Sequence, residues 1–299
     1  MMKKVLLLGS TGFVGRHLAE VLADTVQLIT TTRAVDQASE NVLYFDLQNA
    51  ATWVAAKAIA PDVIINSAGY GVVKKQTNLA VMYAINYQLP MQFVLDLQQA
   101  GQHPLWIQIG TAFEYDLDAG ALTEESATLP ATHYGISKLL FSNFLSVSKN
   151  KLPYMLLRPF AMFGPYESDS KLIPYLINSQ AAREAIPLSS GLQKRDYFYV
   201  RDLAKFVKEL LQCPSAKFVG QTFNLGTGNP SSIKELSQEI AAAIAEFDSE
   251  YWQWGQLPQR LNESDLFFNA SLKAQTAGLR LTPRAIAIQE TVNYYFNHV

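Results

Sequence analysis

The chain has 299 residues, 49% of them hydrophobic and 17% charged, enough to bury a substantial core in one large domain or in a domain with a smaller lobe. A formal net charge of −2 excludes a broadly basic surface for nucleic acid or anionic membrane, and the single cysteine, Cys213, excludes an internal disulfide and a multi-cysteine metal site. No stretch approaches the roughly 18 apolar residues of a membrane span, and Met-Met-Lys-Lys leads into an apolar run too brief for a signal peptide, so a cytoplasmic enzyme without bound metal is expected.

Val5 to Leu8 is an unbroken apolar run that reads as a buried parallel strand, after which Val14, Leu18, Val21 and Leu22 recur at helical spacing. Between them stand Gly9, Gly12 and Gly15. Gly9 permits the tight turn, Gly12 lets backbone approach a pyrophosphate, and Gly15 lets the helix pack closely on the strand. The helix N-terminus then offers unpaired N–H groups to phosphate. With Thr11, Phe13 and Val14 these residues form a candidate dinucleotide cradle. The spaced glycines resemble those of the extended short-chain dehydrogenase/reductases, the family of nucleotide-sugar epimerases, dehydratases and ketoreductases.

Strand and helix patterns alternate through the first half, which predicts a doubly wound parallel sheet. Val26 to Thr30 is the second strand, ending in Thr31-Thr32-Arg33. NAD-binding forms place an acidic residue about 20 residues past the glycines; here Thr32 and Arg33 stand instead. A guanidinium suits a ribose 2′-phosphate, so NADP is the expected cofactor and NAD the alternative. Val42 to Phe45 is the third strand. The resemblance places Asp46 at the adenine amino group with Leu47 beside it; capping the helical segment near Asn49 is the other role open to Asp46.

Val63 to Ile65 is the fourth strand, closing on Asn66-Ser67-Ala68-Gly69. The small residues Ser67, Ala68 and Gly69 let backbone pass under the cofactor ribose. A long helix over about residues 78–100 contains Asn86 and Pro90. Proline in a helix interior costs about 3 kcal/mol, so a kink or a first-turn position is expected. The resemblance puts Asn86 beneath the nicotinamide; an exposed helical asparagine is the alternative.

Leu105 to Ile109 is the fifth strand, followed by Gly110-Thr111-Ala112-Phe113-Glu114-Tyr115. Strand C-terminal ends are where open α/β sheets place ligands. Tyr134-Gly-Ile-Ser-Lys138 opens a helix, and the i, i+4 spacing sets phenol and ammonium on one face. The resemblance implies that Tyr134 is the general acid/base and that Thr111 hydrogen-bonds the reacting oxygen. Lys138 would hold the nicotinamide ribose and lower the phenol from its ordinary pKa of about 10. Ala112 and Phe113 stand where the 4,6-dehydratases carry an acidic pair. That disfavours a dehydratase and makes both residues candidate substrate contacts.

Met155 to Leu157 is the sixth strand, and the segment from Arg158 to Pro165 resembles the family's Leu-Arg-Pro-x-Asn-Val-Tyr-Gly-Pro. It departs at Ala161, where relatives often hold the substrate diphosphate with Asn, and at Phe163. Phe160 is expected beside the nicotinamide. Residues 168–185 read as a helix of a second lobe. Arg195, in Arg-Asp-Tyr-Phe-Tyr-Val-Arg-Asp, matches an arginine that lies against the nucleotide diphosphate in relatives, and Asp202 reads as a first-turn charge on a helix running to about Cys213, a buried bystander. The segment after Ser232 reads as a capped helix. Arg260, three residues before Glu263, falls where relatives clamp the diphosphate with an Arg-x-x-Asp pair.

The expected fold class is α/β, a Rossmann-type doubly wound parallel sheet with a smaller C-terminal substrate lobe. Residues 1–165 and 192–225 would form the dinucleotide-binding domain, and residues 166–191 and 226–299 the lobe. The resemblance implies NADPH-dependent reduction of a CDP- or dTDP-linked 4-keto-6-deoxyhexose in deoxysugar biosynthesis. A nucleotide-sugar 4-epimerase with tightly bound NAD is the alternative, and a non-catalytic NADP-sensing module a third reading. A nucleotide sugar is thus the expected partner. A homodimer through the helices carrying Asn86 and Tyr134 is inherited from the same resemblance.

Overall fold

Neighbouring residues of the first strand look opposite ways, Val5 and Leu7 into one apolar layer and Leu6 and Leu8 into another. A strand apolar on both faces must be covered on both, and only a central parallel strand between helical layers meets that demand. The computed structural model describes residues 2–147, 152–213, 217–258 and 264–297 and places this strand so. In chain order, β1 (Lys4–Leu8), α1 (Phe13–Leu22), β2 (Gln27–Thr32), β3 (Val42–Tyr44), α2 (Trp53–Ala58) and β4 (Val63–Asn66) come first. After them come α3 (Leu79–Tyr83), a π-helical turn (Ala84–Gln88), α4 (Leu89–Gln99), β5 (Leu105–Ile109), β6 (Ala121–Leu122), α5 (His133–Val147) and β7 (Tyr154–Pro159).

The second half continues with β8 (Ala161–Phe163), α6 (Leu172–Ala182), β9 (Ile186–Pro187), β10 (Lys194–Arg195), β11 (Tyr197–Tyr199), α7 (Val200–Gln212) and β12 (Gln221–Leu225). Last are β13 (Ser231–Ser232), α8 (Ile233–Ala243), β14 (Trp252–Gln253), β15 (Leu266–Asn269), α9 (Lys273–Thr276) and α10 (Arg284–Phe296).

Seven strands form one parallel sheet in the order β12-β7-β5-β4-β1-β2-β3, with Val5 opposite Leu28 on one side and Val63 on the other. The chain winds outward from β1 in both directions, so the gap between the β1 and β4 ends is the topological switch point, where open α/β sheets bind ligands. One sheet face packs Leu18, Phe206 and Leu210 of α1 and α7; the other packs Phe93 and Phe141 of α4 and α5. A third core joins α6, α8 and α10 through Ile177, Leu236, Ile240 and Ile288. A four-stranded sheet, β13-β10-β15-β6, lies apart from the large one.

The helix expected over about residues 78–100 runs from Leu79 to Gln99, widened by the π turn between α3 and α4, and Pro90 falls in the first turn of α4, directly after the π turn. The helix expected over residues 168–185 is the shorter Leu172–Ala182. Cys213 caps α7 and is half-buried rather than enclosed.

Candidate active site

The glycine loop sits at the switch point. Gly9 has φ +76°, and a Cβ there would lie 2.7 Å from the Ala68 amide nitrogen, so only glycine lets the end of β1 pass the end of β4. A Cβ on Gly15 would meet the Gly9 carbonyl oxygen at 2.1 Å, which explains the close helix packing. Gly12 differs: a Cβ there would meet only the Gly9 oxygen, at 3.3 Å. That one contact is tight for a Cβ but asks the neighbour to give by only a few tenths of an ångström, so the fold alone does not demand glycine there. No side chain caps α1, whose first N–H groups lie at the same loop. An uncapped helix and a glycine that the fold alone does not demand fit a diphosphate.

The loop is fastened to β2 by residues that the glycine pattern does not mark. The Ser10 hydroxyl donates to the Thr31 carbonyl at 2.6 Å, the Thr31 N–H returns a bond to Ser10 Oγ at 3.1 Å, and the Thr31 hydroxyl accepts from the Gly9 N–H at 3.2 Å. Thr32 is buried and its hydroxyl accepts from the Ala34 N–H at 3.1 Å, so it serves its own turn. Arg33 is exposed. Thr11 is exposed on the loop and Phe13 and Val14 are half-buried at the start of α1.

Asp46 accepts the Gln48 N–H at 3.0 Å, while Asn49 accepts the Ala51 N–H and caps the next helical turn; the capping role weighed for Asp46 thus belongs to Asn49. Leu47 is buried. Past β4, Ser67 donates to the Leu8 carbonyl at 2.7 Å, and Ala68 and Gly69 continue the strip of small residues beside the glycine loop. Asn86 is buried, not exposed. Its Oδ1 accepts the Tyr70 N–H at 2.9 Å, and its Nδ2 donates to the Tyr70 carbonyl at 2.8 Å and to Ser137 Oγ at 2.9 Å. It ties the loop after β4 to α5, one residue before Lys138.

Thr111 caps a short 3₁₀ turn at the end of β5, its hydroxyl accepting the Phe113 N–H at 3.2 Å. Glu114 closes a capping box by accepting the Thr111 N–H at 3.0 Å and pairs with Arg158 at 2.9 Å. Tyr134 and Lys138 lie one turn apart on α5, whose start packs on the turn that Thr111 caps, with the Tyr134 and Phe113 ring centroids 6.3 Å apart. The three expected catalytic groups therefore converge. Burial raises the Tyr134 phenol well above its ordinary value, the Glu114 carboxylate adds to that rise, and the Thr111 hydroxyl opposes it. Burial lowers the Lys138 ammonium to about 8, against the pull of Glu114. Lys138 was expected to lower the phenol; in this site burial and Glu114 govern it instead, upward.

Of the expected substrate contacts, Ala112 is fully buried with Tyr115, Leu122, Phe160 and Phe267, because the 3₁₀ turn points it inward. Phe113 faces outward at 38% exposure and meets Tyr134 edge to face, with ring centroids 6.3 Å apart. Phe267 packs on Phe113 at 5.9 Å and on Phe160 at 6.2 Å, and the Arg195 guanidinium lies over its ring, 4.7 Å from the centroid. Sequence reasoning missed Phe267. Arg195 is thus joined to the Tyr134 phenol by an aromatic path. Arg260 and Glu263 lie outside the described residues. Glu114 was also missed, although Thr-x-x-Glu is a capping-box spacing. No group of acidic, histidine or cysteine side chains suited to a metal occurs among the described residues.

A model of the NAD dependent epimerase/dehydratase family matches residues 5–226. An uncharacterized UDP-glucose epimerase of Bacillus subtilis, YtcB, is 23% identical over 260 residues, 78% of this chain and 79% of the relative. The CDP-abequose synthase of Salmonella typhimurium is 22% identical over 270 residues, 87% of each chain. Among solved structures, the Thermus thermophilus UDP-glucose 4-epimerase complexed with NAD superposes with a TM-score of 0.84 at 20% identity over 99% of both chains. RMD from Pseudomonas aeruginosa complexed with NADPH gives 0.84 at 20% identity over 99% of this chain and all of the other. A match that begins in β1 and ends just past β12 spans the whole seven-stranded sheet, and the chain therefore belongs to the NAD dependent epimerase/dehydratase family, enzymes of the extended short-chain dehydrogenase/reductase type.

Proposed function

We propose that this chain reduces a nucleotide-linked 4-keto-6-deoxyhexose with NADPH. The observation that carries the cofactor choice is Arg33, exposed at the end of β2 beside a Thr32 already engaged in its own turn. A guanidinium there is a planar donor for a ribose 2′-phosphate. The glycine loop, Arg33, Asp46 and Lys138 would hold the dinucleotide, with its ribose and nicotinamide over the strip of Ser67, Ala68 and Gly69. When bound, it supplies the hydride.

Tyr134 donates its phenolic proton to the ketone oxygen as negative charge develops there, and the Thr111 hydroxyl hydrogen-bonds the same oxygen. Tyr134 enters this step protonated, as an ordinary phenol also is near neutral pH. The aromatic path from Tyr134 to Arg195 supports a substrate with its diphosphate set apart from the reacting carbon. The names of the CDP-abequose synthase relatives support a CDP-linked sugar. A cytoplasmic homodimer through α3, α4 and α5 belongs to the same reading, supported by Leu79, Leu95 and Leu140, exposed on those helices at 44%, 41% and 37%.

The test begins with the nucleotide released from purified protein, followed by titration of stripped protein with NADPH and NADH. Arg33→Ala is expected to weaken NADPH binding by about tenfold or more, about 1.4 kcal/mol, and to leave NADH unchanged. Wild-type protein should then oxidise NADPH with a CDP- or dTDP-4-keto-6-deoxyhexose; failure with every such sugar overturns the reading. Tightly retained NAD, indifferent to Arg33, favours the 4-epimerase reading that the Bacillus subtilis relative's name supports.

A further inference from the structure

A buried carboxylate adjoins the catalytic residues, and the chemistry above does not use it. Glu114 has no exposed surface, and Arg158, its partner from β7, is also buried. The Arg158 guanidinium covers the Tyr115 ring at 4.5 Å, and the Tyr115 hydroxyl donates to Asn224 Oδ1 at 2.8 Å, so the pair straps together the ends of β5, β7 and β12. Gly110 makes the room: a Cβ there would lie 2.5 Å from Glu114 Oε1.

Holding a turn does not require a charge. A capping box works with glutamine as well as glutamate, whereas taking two ions out of water costs several kcal/mol for each. The charge therefore calls for another reason, and the neighbours supply one. Glu114 Oε1 accepts the N–H of Thr111, and the turn they close packs on the start of α5, where a Cβ on Gly135 would lie 2.1 Å from the Phe113 carbonyl oxygen.

We infer that Glu114, held by Arg158, is a positioning residue of the catalytic site. It fixes the turn that presents the Thr111 hydroxyl, and it sets a buried carboxylate in the turn that packs on the start of α5, where Tyr134 and Lys138 stand. The inference rests on the reading of Tyr134 as the proton-transfer group. From the end of β5, Tyr134 faces Thr111, Phe113 and Glu114; along α5 it faces Lys138, while His133 is turned to the Tyr83 hydroxyl at 3.0 Å. Among these, Glu114 favours the protonated phenol and also the charged form of Lys138. On reduction the O–H bond of Tyr134 breaks as the product hydroxyl forms, and the phenolate then recovers a proton from Lys138 or solvent.

Titration of the tyrosinate absorbance in ligand-free protein, with the Tyr134→Phe profile subtracted, reads this phenol directly and needs no substrate. In wild type it should titrate above the free-phenol value of about 10. Glu114→Gln should move its midpoint down by about one pH unit, with the alkaline limb of turnover moving the same way. An unmoved midpoint in folded Glu114→Gln protein overturns the inference. If that variant does not fold, because the Arg158 charge is left unpaired, Glu114→Gln with Arg158→Met removes both charges, and a wild-type midpoint there overturns it equally. A shifted midpoint alongside full turnover of Tyr134→Phe overturns it through the reading on which it rests.

Discussion

Two enclosed carboxyls, Glu114 and Glu167, meet opposite conditions. Glu114 has an arginine and a backbone N–H to answer both oxygens. The buried Oε2 of Glu167, in the loop between β8 and α6, has no hydrogen-bond partner, and burial raises that carboxyl from 4.5 to about 8, with the Lys171 charge opposing the rise. In the unfolded chain the same group loses its proton from about pH 4.3 upward. The folded state therefore binds the extra proton between 4.5 and 8, so this group's contribution to stability is fully present at the acid end and is lost as pH rises to 8. Glu167→Gln, neutral throughout, should show a melting temperature that gains several degrees on wild type between pH 4.5 and 8; a constant gap across that range would exclude the effect. Nothing in Pro-Tyr-Glu-Ser announces this. Tyr134 and Lys138 were legible because their spacing is local, but the phenol's upward shift comes first from burial and then from Glu114, and both arise only when β5 turns over against α5.

At the scale of elements, the three glycines of the loop separate into two kinds. Gly15 and Gly9 are required by the protein's own backbone; at Gly12 a Cβ would crowd only the Gly9 oxygen, at 3.3 Å. Gly15→Ala should destabilise the free protein by more than about 2 kcal/mol, because a Cβ 2.1 Å from the Gly9 oxygen forces the helix away from its strand. Gly12, at φ −80°, accepts alanine, so Gly12→Ala should melt within a few degrees of wild type and yet lose most of its affinity for the dinucleotide. Thermal melts with and without NADPH separate the two cases. The strand-glycine-helix order was readable because apolar runs and period-3.6 patterns are short-range signals. The π turn between α3 and α4 was not readable: only Pro90 stands near it, and the Asn86 it carries reaches Tyr70 and Ser137, far along the chain.

For the whole molecule, the doubly wound sheet follows from β1 being apolar on both faces, and that much was visible at once. The second half was less so, because its order comes from long-range polar contacts. Asp196, fully buried, accepts the N–H groups of Thr227 at 2.8 Å, Gly228 at 3.0 Å and Asn269 at 3.1 Å, gathering two distant segments around one carboxylate. Phe267 reaches the catalytic edge by the same gathering, from a short strand that no periodicity marks. The proposed dimer is a prediction at this scale. Sedimentation should give twice the chain mass, and Leu95→Arg with Leu140→Arg should halve it while leaving the far-ultraviolet spectrum unchanged; a wild-type monomer would remove α3, α4 and α5 as an interface.

The π turn at Ala84–Gln88 has one further consequence, for how the chain tolerates lost residues. Such a turn amounts to one surplus residue inside a helix. Deleting one residue there returns the stretch to ordinary winding, and Phe93, Val94 and Leu97 still arrive at the sheet in phase. Deleting one residue within α4 instead turns everything after it by about 100° and swings that apolar face into water. Residues 84–88 are thus a spare link in the coil, where ancestry could shorten the chain and keep the fold, surrendering only the grip of Asn86 on the loop beside the active site.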